Sequence, residues 1–313
     1  MGIFEFNVPL SGYSGYKIGG PACYFYQGSR VDDLTTAVGK ARREKLPIFI
    51  LGGGTNILFG DEGFAGLVLR PTVDFMKRQE SLVTVGVGTS VERLLDFVID
   101  NSLSGFEWAG GLPGLIGGAI KGNAGAFKGE IKDSVIEVVS LNFDGKPQIR
   151  KRTGEECCFR YRDSIFKSGP AAGEIILQAT FALKPGKKKI IRESIEEKIK
   201  WRQDRQPLDY PNIGSIFKNV DWRLVPKKWQ VKPALQKHLK TDPFPVLPAA
   251  YLIDQCGLKG ISYGGAMISA KHPNFIVNCG SASAADVKAL SRLIESAVYR
   301  KFGISLEKEV IFV

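Results

Sequence analysis

The chain has 313 residues, 44% hydrophobic and 24% charged, with a formal net charge of +11. That length exceeds one comfortable core, so two or three domains are expected, and the composition excludes a disordered chain. The positive surplus suits anionic ligands, yet runs such as Lys187-Lys188-Lys189 and Lys227-Lys228 are also what a solvated face looks like.

Thirty-six glycines fall in clusters without a fixed period, which excludes collagen and solenoid readings. Five cysteines, an odd number without a CxxC, do not form a disulfide framework, and His238 and His272 are too far apart in sequence for a zinc cluster. No metal site is expected. The first residues lack the pattern of a signal peptide, Phe6 stands where a myristoylation signal needs Ser or Thr, and no apolar run is long enough to span a bilayer. A cytoplasmic location is the expectation.

Residues 31–46 place Leu34, Val38 and Ala41 at helical spacing, and the β-rich Ile48-Phe49-Ile50-Leu51 runs directly into Gly52-Gly53-Gly54. Leu67-Val68-Leu69 reads as a further strand, closed by Pro71. Residues 82–88 alternate as a strand, and Ser90 is placed to cap a helix through Ile99. A glycine-rich stretch fills 105–129, and strands over 135–143 and 175–183 flank a loop centred on Tyr161-Arg162-Asp163-Ser164. The charged segment 187–203 reads as an exposed helix, and 207–220, rich in Pro, Asn and Gly, as a loop. A short helix over 248–257 stopped by Gly257, strands at 265–269 and 274–278, a helix from Asp286 to Phe302 and a last strand complete the pattern. The expected domains are 1–70, 71–203 and 204–313.

Three glycines after a strand, followed by Thr55 and Asn56, offer unhindered N–H groups to a phosphate, although a plain tight turn has the same composition. Neither a Rossmann fingerprint nor a P-loop is present. The second stretch, Gly110-Gly111-Leu112-Pro113-Gly114-Leu115-Ile116-Gly117-Gly118-Ala119 continuing to Gly122-Asn123-Ala124-Gly125-Ala126, spends more small residues than one turn requires. A flat ligand lying against the backbone accounts for that excess. Taken alone, Arg162 is as well explained by a surface ion pair, Ser215 by a turn, Glu309 by a solvent-exposed strand and His272 by a solvated loop.

These stretches resemble the UDP-N-acetylenolpyruvoylglucosamine reductases, and the resemblance runs from Ile18-Gly19-Gly20-Pro21-Ala22 to Leu306-Glu307-Lys308-Glu309-Val310. It implies an α+β chain with the vanillyl-alcohol-oxidase-like FAD-binding fold, made of two α+β subdomains plus a C-terminal α+β substrate domain. It also implies non-covalent FAD, with NADPH as co-substrate. Gly52, Gly53, Gly54, Thr55, Asn56 and Ile57 would hold the cofactor, together with Gly110, Pro113, Gly114, Gly117, Gly118, Asn123, Ala124 and Gly125. In Tyr161-Arg162-Asp163-Ser164 the arginine matches the family's catalytic arginine, a guanidinium suited to a carboxylate. In Gly214-Ser215-Ile216-Phe217-Lys218-Asn219 the serine would protonate the substrate carbon, and Glu309 would assist. Tyr161, Lys218, Asn219 and His272 would contact substrate.

The implied reaction is NADPH-dependent reduction of the enolpyruvyl ether of UDP-N-acetylglucosamine to UDP-N-acetylmuramate, in peptidoglycan precursor synthesis. Small-molecule substrates, no nucleic acid, no membrane insertion and a monomer are expected. Departures are Val220 where the family has proline, Pro273 in Ser269-Ala270-Lys271-His272-Pro273-Asn274, and Ser11–Lys17 in place of a threonine-rich approach. No room for a tyrosine-bearing loop is visible between Lys167 and Trp201, so the family type lacking it is expected. A flavin oxidase, a catalytically silent flavin module and a nucleic-acid binder are the competing readings. The first two are disfavoured by the GSIFKN and EKEV elements, the third by the lack of a basic–aromatic module.

Overall fold

Alternating apolar positions in Val135–Asn142 and Ile175–Ala182 make these the central strands of a five-stranded antiparallel sheet, ordered Gln148–Thr153, Val135–Asn142, Ile175–Ala182, Leu82–Gly86 and Met76–Gln79. The computed structural model describes residues 4–144, 146–242 and 244–313. Contacts separate the chain into two compact units. The first comprises Met1–Val8, Ala22–Gly53 and Ala65–Arg202, and the second Pro9–Pro21, Gly54–Phe64 and Gln203–Val313. The expected segments 1–70 and 71–203 thus lie largely in one unit, while 9–21 and 54–64 belong with the C-terminal region.

Within the first unit, helix Val91–Asp100 begins as expected, with the Ser90 hydroxyl accepting from the Arg93 N–H. It buries Leu94, Val98 and Ile99 in a cluster with Val83, Val85, Val138 and Phe181 from the five-stranded sheet. A second sheet, ordered Glu5–Pro9, Pro21–Gly28, Phe64–Pro71 and Ile48–Ile50, includes a parallel pairing of Ile48 with Leu67 and Ile50 with Leu69. Helix Val31–Arg43 supplies Leu34, Ala37, Val38 and Ala41 to a cluster containing Leu67 and Leu69 and also Leu141, Ile175 and Leu177. The two sheets of this unit therefore share apolar packing.

The charged helix Lys188–Arg205 departs from expectation: Ile191, Ile195 and Arg202 are buried, so one stripe faces the core. Lys184–Pro185 pairs with Leu103–Ser104 and leads into this helix without an added loop.

The second unit gathers Tyr16, Ile18 and Leu58 with the long helix Ala284–Phe302 and the strands Ala266–Ile268 and Ile276–Asn278. That helix opens with a capping box of Ser283 and Asp286 and ends at Gly303 in the left-handed region. Val220 and Asp221 pair with Leu247 and Val246, a hairpin the sequence did not announce.

One buried ion pair stiffens the first unit. Both guanidinium nitrogens of Arg152 donate to Glu174, at 2.6 and 2.7 Å, and the Ser140 hydroxyl and Asn142 amide donate to the same carboxylate. Burial acts to raise the Glu174 pKa, but these donors together outweigh it and hold the carboxyl below its usual range. Glu174→Ala leaves Arg152 uncompensated and should lower unfolding free energy by about 3–5 kcal/mol in urea titrations at neutral pH. Because the folded-state pKa is depressed, the contribution is complete above the unfolded value and fades as pH falls through the folded one. Wild type and variant should accordingly converge in acid, and a constant gap would contradict this account.

Candidate functional site

The boundary between the units falls inside the triple-glycine turn: Gly52 and Gly53 belong to the first, Gly54, Thr55, Asn56 and Ile57 to the second. In the first unit a Cβ on Gly53 would lie 3.0 Å from Gly114 Cα and 3.3 Å from Leu115 N, so the two glycine stretches meet backbone to backbone. Gly114 itself has φ +109, a conformation that excludes most side chains. Other glycines of the second stretch are small for protein reasons. A Cβ on Gly110 would meet the Ile195 carbonyl at 2.5 Å, one on Gly111 the Arg202 side chain at 3.0 Å, and one on Gly117 Val87 at 3.0 Å. Gly118 is different: a Cβ there would have no atom within 4 Å. The Gly53–Gly114 approach and the open face at Gly118 fit a flat ligand laid on this backbone. Pro113 follows in the same loop, one residue before Gly114.

Asn123 turns inward. Its amide donates to Glu130 and to the Arg160 carbonyl (2.9 Å) and accepts from the Lys132 N–H (3.1 Å), so the side chain shapes the loop. The Ala124 carbonyl accepts from Ile131, and Gly125–Ala126 pairs with Gly129–Glu130.

These bonds also seat the arginine. Arg160 and Asp163 exchange N–H···O=C bonds of 2.9 and 3.1 Å, which puts Tyr161 and Arg162 at the tip of a two-residue turn. Arg162 adopts φ +57, a strained conformation for a non-glycine residue. Its Nη2 donates to the Gly125 carbonyl at 2.7 Å, and its own carbonyl accepts from Lys167 Nζ at 2.8 Å. The guanidinium lies 5.2 Å from the Tyr161 ring centroid. The structure thus brings Arg162 and Tyr161 to the second glycine stretch.

Arg202, which the sequence reading placed on an exposed helix, joins them. It is 8% exposed, donates from Nε to the Gly110 carbonyl at 2.9 Å and lies over the Phe127 ring at 5.4 Å. Its Nη2 is buried with no hydrogen-bond partner among the described residues. Burial, reinforced by the neighbouring Arg162 charge, pulls its pKa down to about 10, so it remains cationic at neutral pH. The spacing of Ile191, Ile195, Ile199 and Arg202 on one helix face was the signal that could have found it.

In the second unit the backbone of Glu309 pairs with the residue that follows Ser215. The Glu309 N–H donates to the Ile216 carbonyl at 2.8 Å, and Lys218 N–H donates to Glu307 at 2.9 Å. Asn274, buried and assigned no role by the sequence, accepts from Phe217 N–H at 3.0 Å and donates to the Phe217 carbonyl at 2.8 Å. Its carbonyl accepts from Ile216 at 2.8 Å. Asn56 donates from its side chain to the Glu309 carbonyl at 3.1 Å, and Ile57 pairs with Ile311. Gly54 accepts from Gly15 at 3.0 Å and would clash with the Tyr13 carbonyl if it carried a Cβ. Lys218 Nζ pairs with the Glu307 carboxylate, and Asn219 Oδ1 accepts from Ala249 N–H at 3.3 Å.

His272 follows Ser269, whose hydroxyl accepts from the Lys271 and His272 N–H groups. Its imidazole meets the Phe275 ring at 4.8 Å, and burial, with Lys240 and Lys259 adding to it, pushes its pKa down to about 4. Among the described residues no group of His, Cys, Asp and Glu is arranged to hold a metal ion, and no helix is long and apolar enough to cross a membrane.

Residues 21–148 match a FAD-binding domain model, and 206–313 match the C-terminal domain model of UDP-N-acetylenolpyruvoylglucosamine reductase. The reductase of that name from Lachnoclostridium phytofermentans is 36% identical over 310 residues, covering 97% of this chain and 91% of the relative. That of Fervidobacterium nodosum is 36% identical over 305 residues, covering 97% and 90%. The crystal structure of the Thermus caldophilus enzyme superposes with a TM-score of 0.78 at 30% identity, over 100% of this chain and 99% of that one. The expected α+β architecture, a FAD-binding fold with a C-terminal α+β domain, is therefore the observed one.

Two measurements test the site. Gly118→Ala should leave unliganded stability unchanged or raised by about 0.5–1 kcal/mol, since Gly118 stands in the short helix Ile116–Lys121 and alanine favours a helix, while weakening FAD binding about tenfold. Gly111→Ala, at φ +70 against Arg202, should instead destabilise the fold. Equal FAD affinity in Gly118→Ala would remove that face from the cofactor site. For His272, the folded-state pKa lies below the ordinary imidazole value of 6.5, so protonation favours unfolding. Stability of the wild type relative to His272→Asn should fall as pH drops from 6.5 towards about 4, and parallel pH profiles would contradict the burial.

Proposed function

The chain belongs to the UDP-N-acetylenolpyruvoylglucosamine reductase family, and we propose that it reduces enolpyruvyl-UDP-N-acetylglucosamine to UDP-N-acetylmuramate with NADPH, in the cytoplasm, for peptidoglycan precursor synthesis. The observation that carries the reading is the backbone pairing that sets Glu309 beside the Ser215–Ile216 segment.

FAD, when bound, supplies the hydride chemistry between NADPH and substrate. In the first unit Gly52, Gly53, Gly114 and Gly118 would lie against it, since their backbone leaves a face that a Cβ at Gly118 would fill. Arg162 would take the substrate carboxylate through parallel hydrogen bonds and offset the negative charge that grows there as hydride reaches C3. Arg202, buried beside it with an unspent donor, adds positive potential in a low-dielectric setting.

In the second unit Ser215 would deliver its proton to C2, completing addition of hydride and proton across the double bond. A serine hydroxyl is a weak acid, so it acts only toward a carbanion-like carbon, and Glu309 would support the transfer. Tyr161, Asn219 and a neutral His272 would contact the substrate. Lys218 would do so with a charge shared with Glu307.

Anaerobic stopped-flow absorbance of the flavin tests this. NADPH should bleach it, and the enolpyruvyl UDP-sugar should restore the colour. Ser215→Ala should slow recovery by about 10²–10⁴-fold and leave bleaching unchanged. Recovery with oxygen alone, indifferent to the UDP-sugar, would overturn the substrate assignment.

A further inference from the structure

Between the paired strands Val220–Asp221 and Val246–Leu247 the second unit carries a projecting segment that the reductase reading leaves unused. From Trp222 to Lys240 it contains Lys227, Lys228, Lys232, Lys237 and Lys240; Asp221 and Asp242 flank it, and Arg223 is paired with Asp221 at 2.6 Å, so the five lysines carry its positive charge. Leu224 is 74% exposed and Val231 70%. These two aliphatic side chains belong to one small folded knob. The Gln230 amide donates to the Trp222 and Val225 carbonyls at 3.1 and 2.7 Å, which stitches the Val231 end of the segment to the Leu224 end. The knob is fixed to the unit by Trp229, whose Nε1 donates to the Phe302 carbonyl at 2.7 Å and whose ring meets Phe302 at 5.1 Å. At that anchor the last helix turn adds exposed Tyr299 and Arg300.

We propose that this knob is a peripheral docking surface for anionic phospholipid membranes. Exposed aliphatic side chains among lysines match the boundary between headgroups and acyl chains, where apolar groups enter and cations meet lipid phosphates. Nucleic acid fits less well. The Trp229 ring meets Phe302 and the His238 ring stacks on Tyr251 at 4.1 Å, the exposed Tyr299 is one ring rather than a series of stacking platforms, and Leu224 and Val231 cannot stack. Docking of this kind is reversible surface contact and needs no spanning helix.

Sedimentation of the purified full-length protein with extruded vesicles tests the proposal. Binding to phosphatidylcholine–phosphatidylglycerol vesicles should exceed binding to pure phosphatidylcholine and should weaken as salt rises. The charge reversal Lys227→Glu/Lys228→Glu/Lys232→Glu should weaken it about tenfold or more. Leu224→Ser/Val231→Ser should weaken it about tenfold while keeping the salt dependence. Thermal unfolding by circular dichroism, unchanged in both variants, separates a lost surface from a lost fold. The proposal falls if the wild type does not prefer anionic vesicles, or if both folded variants bind as well as wild type. It also falls if single-stranded RNA or a protein partner is bound through the knob in the absence of vesicle binding.

Discussion

The Glu309 N–H meets the Ile216 carbonyl, the Lys218 N–H meets Glu307, and Asn274 closes both polar groups of Phe217. The proposed chemistry of the second unit rests on this small ladder. Ser215 follows Gly214, a residue at φ +83, in a stretch with no helix of its own. Without the ladder, Ser215 would ride on a mobile loop, and a weak acid on a mobile loop protonates nothing efficiently. Buried backbone groups must find partners, so the buried Ile216–Phe217 pair forces the last residues of the chain and Asn274 into register. The same requirement that satisfies the backbone also places Glu309.

The first unit solves a different problem, holding positive charge out of water. Arg162 is strained at φ +57, and it is held there by bonds to the Gly125 carbonyl and from Lys167. Ser164 donates to the Lys121 carbonyl and Asn123 to that of Arg160, so the turn is tied to the glycine stretch from both sides. Lys121 is held below its usual pKa by burial and by Lys167, and Arg202 by burial and by Arg162. Like charges so arranged oppose folding in the absence of an anion. An anion bound among these donors would offset that cost, because preorganised donors need no rearrangement.

Local signals were legible in the sequence and distant ones were not. Ser90 and Gly257 mark helix ends by chemistry confined to a few residues, and the helices they bound are where periodicity put them. Gln148–Thr153 and Met76–Gln79 went unread because edge strands carry polar residues on both faces. For the site, Arg162, Ser215 and Glu309 are singled out only through resemblance; by residue type alone a surface pair accounts equally well for the first, and a turn and an exposed strand are the better accounts of the other two. The reason a glycine is glycine proved invisible: Gly110 and Gly111 answer to Ile195 and Arg202, far along the chain, whereas a Cβ on Gly118 would meet nothing beyond its own helix among the described residues. Asn56 and Asn123, expected as cofactor contacts, also bond within the protein, to the Glu309 and Arg160 carbonyls.

Val220 gains its meaning from the same kind of distance. A proline there would have no N–H to offer a ladder, whereas Val220 is buried and pairs with Leu247, closing a neck below the basic knob. The neck lets a long, polar, lysine-rich segment leave the body of the unit and return without disturbing Ser215 a few residues earlier. It also divides the chain's positive surplus into two physical kinds. Cations near the glycine stretch are desolvated and coupled to each other, so they answer to a bound anion and little to salt. Cations on the knob stand in water, so their attraction is long-ranged and screened within about 10 Å at ordinary ionic strength. A formal charge of +11 adds the two kinds together, and only burial separates desolvated cations from those that stand in water.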